Sequence, residues 1–130
     1  MHTVMVPVWR ALSDSLACIA LEPETRTKVL ERTRNICTGN LALLTDWMDS
    51  PATRFSYRPP EAGAICFPRY AAEIDSLELS ERIRTDADVL VIPGAHFGVE
   101  GTLRIGYGLP AEELVEGLER IGRVFDSLSD

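Results

Sequence analysis

Between Asp49 and Phe55 the hydrophobic pattern of this chain changes period, and that change restricts it to folds in which helices and strands share one core. Before the change, Leu30, Thr33, Cys37, Leu41, Leu44 and Met48 recur every three or four residues. That spacing predicts one long amphipathic helix over 23–49. Pro23 suits its first position, Glu24 its positive end, and Ser50-Pro51 its stop. Gly39 inside it weakens the helix without ending it. After the change, Phe55 and Tyr57 alternate with polar residues and read as a short strand halted by Pro59-Pro60.

The rest of the chain mixes the two periods. Upstream, Leu12, Leu16, Ile19 and Ala20 give residues 11–21 a short helix. Ala64–Phe67 reads as a second strand after Gly63. A helix follows from Asp75, which stands three residues before Glu78 at capping-box spacing, with Ile74 and Leu79 placed as a hydrophobic staple. Val89–Ile92 reads as a buried strand closed by Pro93-Gly94. Leu103–Tyr107 is another strand, with Arg104, Gly106 and Gly108 on one face. The last helix opens at Pro110 and buries Leu114, Leu118, Ile121, Phe125 and Leu128. The expected fold is α+β: two layers, with a small, mainly antiparallel sheet covered by helices at 23–49, 76–85 and 111–128.

Charge and composition exclude several functions. A net charge of −7 and scattered arginines argue against nucleic acid, which needs a concentrated basic face. No apolar run is long enough for a bilayer. The N-terminal stretch lacks a basic start and is interrupted by Asp14, so it does not read as a signal peptide, and the expected compartment is the cytoplasm. Cys18, Cys37 and Cys66 are odd in number, far apart and set among apolar neighbours, which predicts buried free thiols rather than disulfides or a metal site.

Few residues can carry chemistry. Arg104 lies in an apolar, glycine-rich segment, where its planar fork suits a carboxylate. Spacing alone also allows an edge-strand arginine facing water, and favours it over a carboxylate binder. Five glycines between Gly94 and Gly108 suggest a phosphate loop, but no GK[ST] follows and no helix starts there, so a strand–turn–strand connection fits better. His96 has no ligand-spaced partner and reads as a turn residue. Ser13 and Ser15 lack a nucleophile's surroundings. Lys28 is the only lysine, and its neighbours in RTKVLERTR make it a solvated helix residue rather than a Schiff-base former.

Six pieces in order then resemble a known family: ALSDSLACIALE, ERTRNICTGNLALLTDWMD, PPEAGAICFPRY, DSLELSERI, DVLVIPGAHFGVEGTLRIGYG and AEELVEGLERIGRVF. Together they resemble the C-terminal small domain of class I/II, fold-type-I aminotransferases across essentially all of residues 1–130. Residues 1–22 correspond to the end of the interdomain segment. SDSLACIALE and EAGAICFPRY resemble most a bacterial branch that includes capreomycidine-synthase-like enzymes.

The resemblance implies that the complete enzyme uses pyridoxal phosphate to move amino groups of an amino acid, as a homo-oligomer. It makes Arg104 the residue that grips the substrate α-carboxylate, reversing the reading from spacing. It places Gly63 beside the substrate side chain and puts His96 and Phe97 on a loop near the active site, although most members carry a small or polar residue where His96 stands. The cofactor-binding domain, with its Schiff-base lysine, is expected before this one and is not in the sequence. The chain is therefore expected to carry no catalytic residue, to bind no cofactor covalently and to be inactive alone. The alternative is a stand-alone, non-catalytic binding module derived from that domain.

Overall fold

A computed structural model describes residues 8–50 and 55–128. The described residues divide into two compact units, one up to Asn35 and one from Ile36, with the boundary inside the long helix.

In the first unit, α1 spans Val8–Leu21, and α2 starts at Pro23 and runs to Met48. The apolar residues Leu12, Leu16, Ile19 and Leu21 of α1 are exposed. Cys18 is exposed with them, which corrects the expectation that all three thiols are buried; Cys66 is buried and Cys37 half-buried. The signal that misled was the apolar neighbourhood: the neighbours of Cys18 are themselves uncovered. Lys28 stands exposed on α2, as its neighbours predict.

The second unit holds the core. Leu44 and Met48 from the later turns of α2 join Leu79 and Ile83, Leu103, Ile105 and Tyr107, and Leu114, Leu118, Ile121 and Phe125. The strands are β1 (Phe55–Ser56), β2 (Ile65–Cys66), β3 (Arg69–Tyr70), β4 (Ile92–Pro93) and β5 (Leu103–Gly106). The helices are α3 (Ser76–Ala87) and α4 (Ala111–Ser127). β5 is central in the order β2-β5-β4, β1 pairs β3, and every pairing is antiparallel. An Arg69–Thr102 bridge, with Leu103 N–H donating to the Pro68 carbonyl at 3.1 Å, carries the pairing of β5 on towards β3. The fold is the α+β arrangement that the change of period predicts.

One strand differs. Val89–Ile92 was expected to be a single buried strand, yet pairing begins only at Ile92, and Leu90 is 82% exposed. The cause lies in the preceding helix. Asp88 takes a left-handed conformation (φ 54°), and the Val89 N–H reaches back to the Ile83 carbonyl at 3.4 Å. That is a helix-terminating wrap, so the chain is still leaving α3 where the apolar run suggests a strand.

The start of α3 behaves as the sequence predicts. The Asp75 carboxylate accepts from the Glu78 N–H at 2.9 Å. A second carboxylate that spacing does not reveal, Glu100, accepts from the Ser76 N–H at 2.6 Å and the Ser76 hydroxyl at 3.1 Å. These bonds and one from the Gly101 N–H lower the Glu100 pKa, the Gly101 bond most of all.

All three tyrosines are held protonated. Burial is the main cause at each: Tyr57 and Tyr107 are raised, and Tyr70, which also faces Glu100, is pushed up to about 12. A phenol whose folded pKa exceeds its unfolded value of about 10 contributes stability that is whole below pH ~10 and is lost as pH climbs through the folded value. Ultraviolet titration of the native chain should therefore show phenolate only above the range in which the denatured chain ionises, with Tyr70 last. A native signal with the denatured midpoint would refute this.

Candidate carboxylate site

Alternation along β5 sends Leu103 and Ile105 inward and leaves Arg104 half-buried, with Gly106 exposed, on the opposite face. Ile92 of β4 pairs with Arg104, and Ile65 of β2 pairs with Gly106, so the face is walled by neighbouring strands. Among the described residues no carboxylate lies within ion-pairing distance of Arg104. The Arg104 Cζ sits over the ring of Phe97, 6.0 Å from its centre. An arginine on a half-buried strand face whose fork is unpaired among the described residues has the geometry for receiving an external carboxylate.

The loop that presents Phe97 is fixed from beneath. Gly94–Phe97 is a single 3-10 turn between β4 and β5, which agrees with the strand–turn–strand reading. The Gly94 N–H donates to the Thr102 carbonyl at 2.8 Å, and the Val99 N–H to the Gly94 carbonyl at 3.0 Å. The Ala95 N–H donates to the Ser76 hydroxyl at 3.1 Å, which ties the turn to α3. A Cβ on Gly94 would overlap Thr102 Oγ1 and the Val99 carbonyl oxygen, so only glycine fits.

The sequence-predicted residues are distributed unevenly. Arg104 and Phe97 come together. His96 shares the 3-10 turn but is exposed, with no ion pair among the described residues. Gly63 lies in the loop before β2 at φ 79°, a backbone conformation that side chains disfavour, and its carbonyl accepts from the Tyr107 hydroxyl at 3.0 Å. Sequence reasoning missed Phe67, which meets Phe97 edge-to-face at 5.4 Å, and Asn40. The Asn40 amide donates to the Tyr107 carbonyl at 2.8 Å and the Leu109 carbonyl at 2.7 Å, fastening α2 to the end of β5. An asparagine at a buried position of a helical stripe was the available signal.

Other sites offer less. A groove of about 270 Å³ lies between Asp88–Val91 and α4, but its one cation, Arg120, is engaged by Glu116 and the Ala87 carbonyl. Among the described residues no group of His, Cys, Asp and Glu could hold a metal ion, and no helix is long and apolar enough to cross a membrane.

Comparison with known proteins identifies the family and the fold. The family model for class I and II aminotransferases matches residues 5–121. Capreomycidine synthase of Streptomyces vinaceus is 34% identical over 82 residues, covering 63% of this chain and 21% of that protein. A probable aspartate/prephenate aminotransferase of Aquifex aeolicus is 38% identical over 73 residues, covering 53% and 18%. Among solved structures, a PLP-dependent aminotransferase from Streptococcus suis superposes with a TM-score of 0.84 at 28% identity, over 92% of this chain and 31% of that one. This chain belongs to the class I and II aminotransferase family. It spans about a fifth of the length of those two curated relatives.

Complete enzymes of the family depend on pyridoxal phosphate. Within these 130 residues the sole lysine, Lys28, stands exposed on a charged helix face, so the residues of this sequence do not fit covalent attachment of that cofactor.

Proposed function

We propose that residues 1–130 form the small C-terminal domain of a pyridoxal-phosphate-dependent enzyme that transfers the amino group of an amino acid, with residues 1–22 the end of its interdomain segment. Arg104 holds the substrate α-carboxylate. The observation that carries this reading is the Arg104 guanidinium, without an ion-pair partner among the described residues, on a half-buried strand face in a chain of this family. Gly63, Phe97 and His96 border the substrate. The complete enzyme is a cytoplasmic homo-oligomer, and the exposed apolar residues of α1 in the first unit, and separately Phe97 and Val99 in the second, support further protein surface covering each.

Chemistry at the amino group falls to the cofactor-binding part of the enzyme, and this chain alone is inactive. Its own contribution is to bind and orient: a bidentate grip fixes the carboxylate, and with it the direction of the neighbouring carbon, before any proton moves. Treating the isolated chain with pyridoxal phosphate and borohydride should give no stoichiometric labelling. Joining it to the cofactor-binding domain of a family member should restore amino-acid turnover. One equivalent of label on Lys28, with activity, would overturn the reading. A joined protein that folds and binds the cofactor yet never turns over amino acids would favour a non-catalytic binding module.

A further inference from the structure

Two of the four phenylalanines, Phe55 and Phe125, pack edge-to-face at 5.1 Å in or against the core. The other two do not join it. Phe67 is 41% exposed and Phe97 52% exposed, and they meet each other at 90° beside Arg104. Leaving two large apolar rings partly in water at one place forgoes the stabilisation that burying them would bring.

Arg104 poses a problem that such a pair solves. A guanidinium that must accept an external carboxylate cannot be held in place by an internal one, because the internal acid would occupy the same fork. Left unheld, the long side chain keeps its rotamer freedom and loses it on binding. An aromatic face resolves the conflict: it attracts the cation through the ring, and the in-plane N–H donors remain free. The Arg104 Cζ lies over the Phe97 ring at the 6.0 Å range where this attraction acts. Phe97 is in turn held by Phe67 and by the fixed turn at Gly94.

We propose that Phe67 is a positioning residue: it braces Phe97, and the two rings form a ledge that holds the Arg104 guanidinium in its carboxylate-ready orientation. The use of that orientation rests on the function proposed above; the ledge itself does not. It is testable on the 130-residue chain by the nitrogen-15 spectrum of the arginine side chains, with the Arg104 Nε–Hε signal assigned by its loss in Arg104→Lys. The signal should be displaced upfield by the Phe97 ring and show restricted motion. Phe97→Leu should return it to the position and mobility of a solvated arginine, Phe67→Leu should move it part of the way, and Phe97→Tyr should preserve it. A parent signal already at the solvated position overturns the ledge, whether or not any variant folds. A displaced signal that Phe67→Leu leaves unmoved, with the backbone spectrum intact, overturns the role of Phe67.

In the joined enzyme, Phe67→Leu should raise KM for the amino acid about two- to five-fold with kcat little changed. The two readings fail separately. If Arg104→Ala spares amino-acid turnover while the displaced signal stands, the carboxylate assignment is wrong and the ledge survives. If Arg104→Ala abolishes turnover and the signal is undisplaced, the ledge is wrong and the assignment survives.

Discussion

Gly94→Ala should destabilise the chain by about 3 kcal/mol, the upper part of the range for forcing an atom into a packed site. The new Cβ would overlap the Val99 carbonyl oxygen and Thr102 Oγ1 and stand 2.8 Å from the Thr102 carbonyl oxygen. The Thr102 hydroxyl cannot turn away freely, because it donates to the Val99 carbonyl at 2.6 Å. Relief must come from the backbone, which would pull the 3-10 turn off β5 and break the Gly94–Thr102 bond. Two other glycines serve as controls. Gly98 has open space around its Cβ position but a φ of 71°, so Gly98→Ala should cost only about 1–2 kcal/mol of conformational strain. Gly39 lies inside α2 with nothing within 4 Å, so Gly39→Ala should stabilise by about 0.5–1 kcal/mol. Urea unfolding midpoints, compared at constant slope, give all three values. Equal effects at Gly94 and Gly98 would show that the close packing at Gly94 is not real.

The second large effect concerns Arg104 in the joined enzyme. Removing a guanidinium fork from a carboxylate loses charge pairing and two aligned hydrogen bonds. Truncating one member of such a pair costs about 2–5 kcal/mol, or roughly 30- to 4,000-fold. That loss should fall on kcat/KM for the amino acid, because in the proposed role Arg104 would grip substrate and transition state alike. Arg104→Lys restores a point charge but not the fork, and should recover only part of the loss. An Arg104→Ala enzyme within about three-fold of the parent would make Arg104 a structural strand residue.

Much of the fold was legible because its strongest signals are local. Asp75 and Glu78 stand at cap spacing, and the cap forms. The stripe from Leu114 to Phe125 predicts α4 and its buried face. Legibility ended where one local signal yielded to another that acts over a longer range. Val89–Ile92 has strand composition, but the left-handed turn at Asp88 delays the strand to Ile92. Cys18 has apolar neighbours, but burial depends on what covers a helix face, which spacing does not encode. At the candidate site, the type and location of Arg104 were readable, whereas the reading of it as a ligand-binding rather than a water-facing residue came only from the family resemblance. Phe67 and Phe97 are thirty residues apart in sequence and meet only because Cys66 pairs with Ile105 while Gly94 is tied to Thr102. No local pattern announces that meeting.

The most direct test of the central claim compares amino acids with the corresponding amines that lack the carboxylate, in the joined enzyme and its Arg104→Ala variant. If Arg104 holds the α-carboxylate, the parent should prefer the amino acid strongly, and the variant should lose that preference by falling on the amino acid alone, with kcat/KM for the amine barely changed. Equal losses on both substrates, or an unchanged preference, would contradict the account.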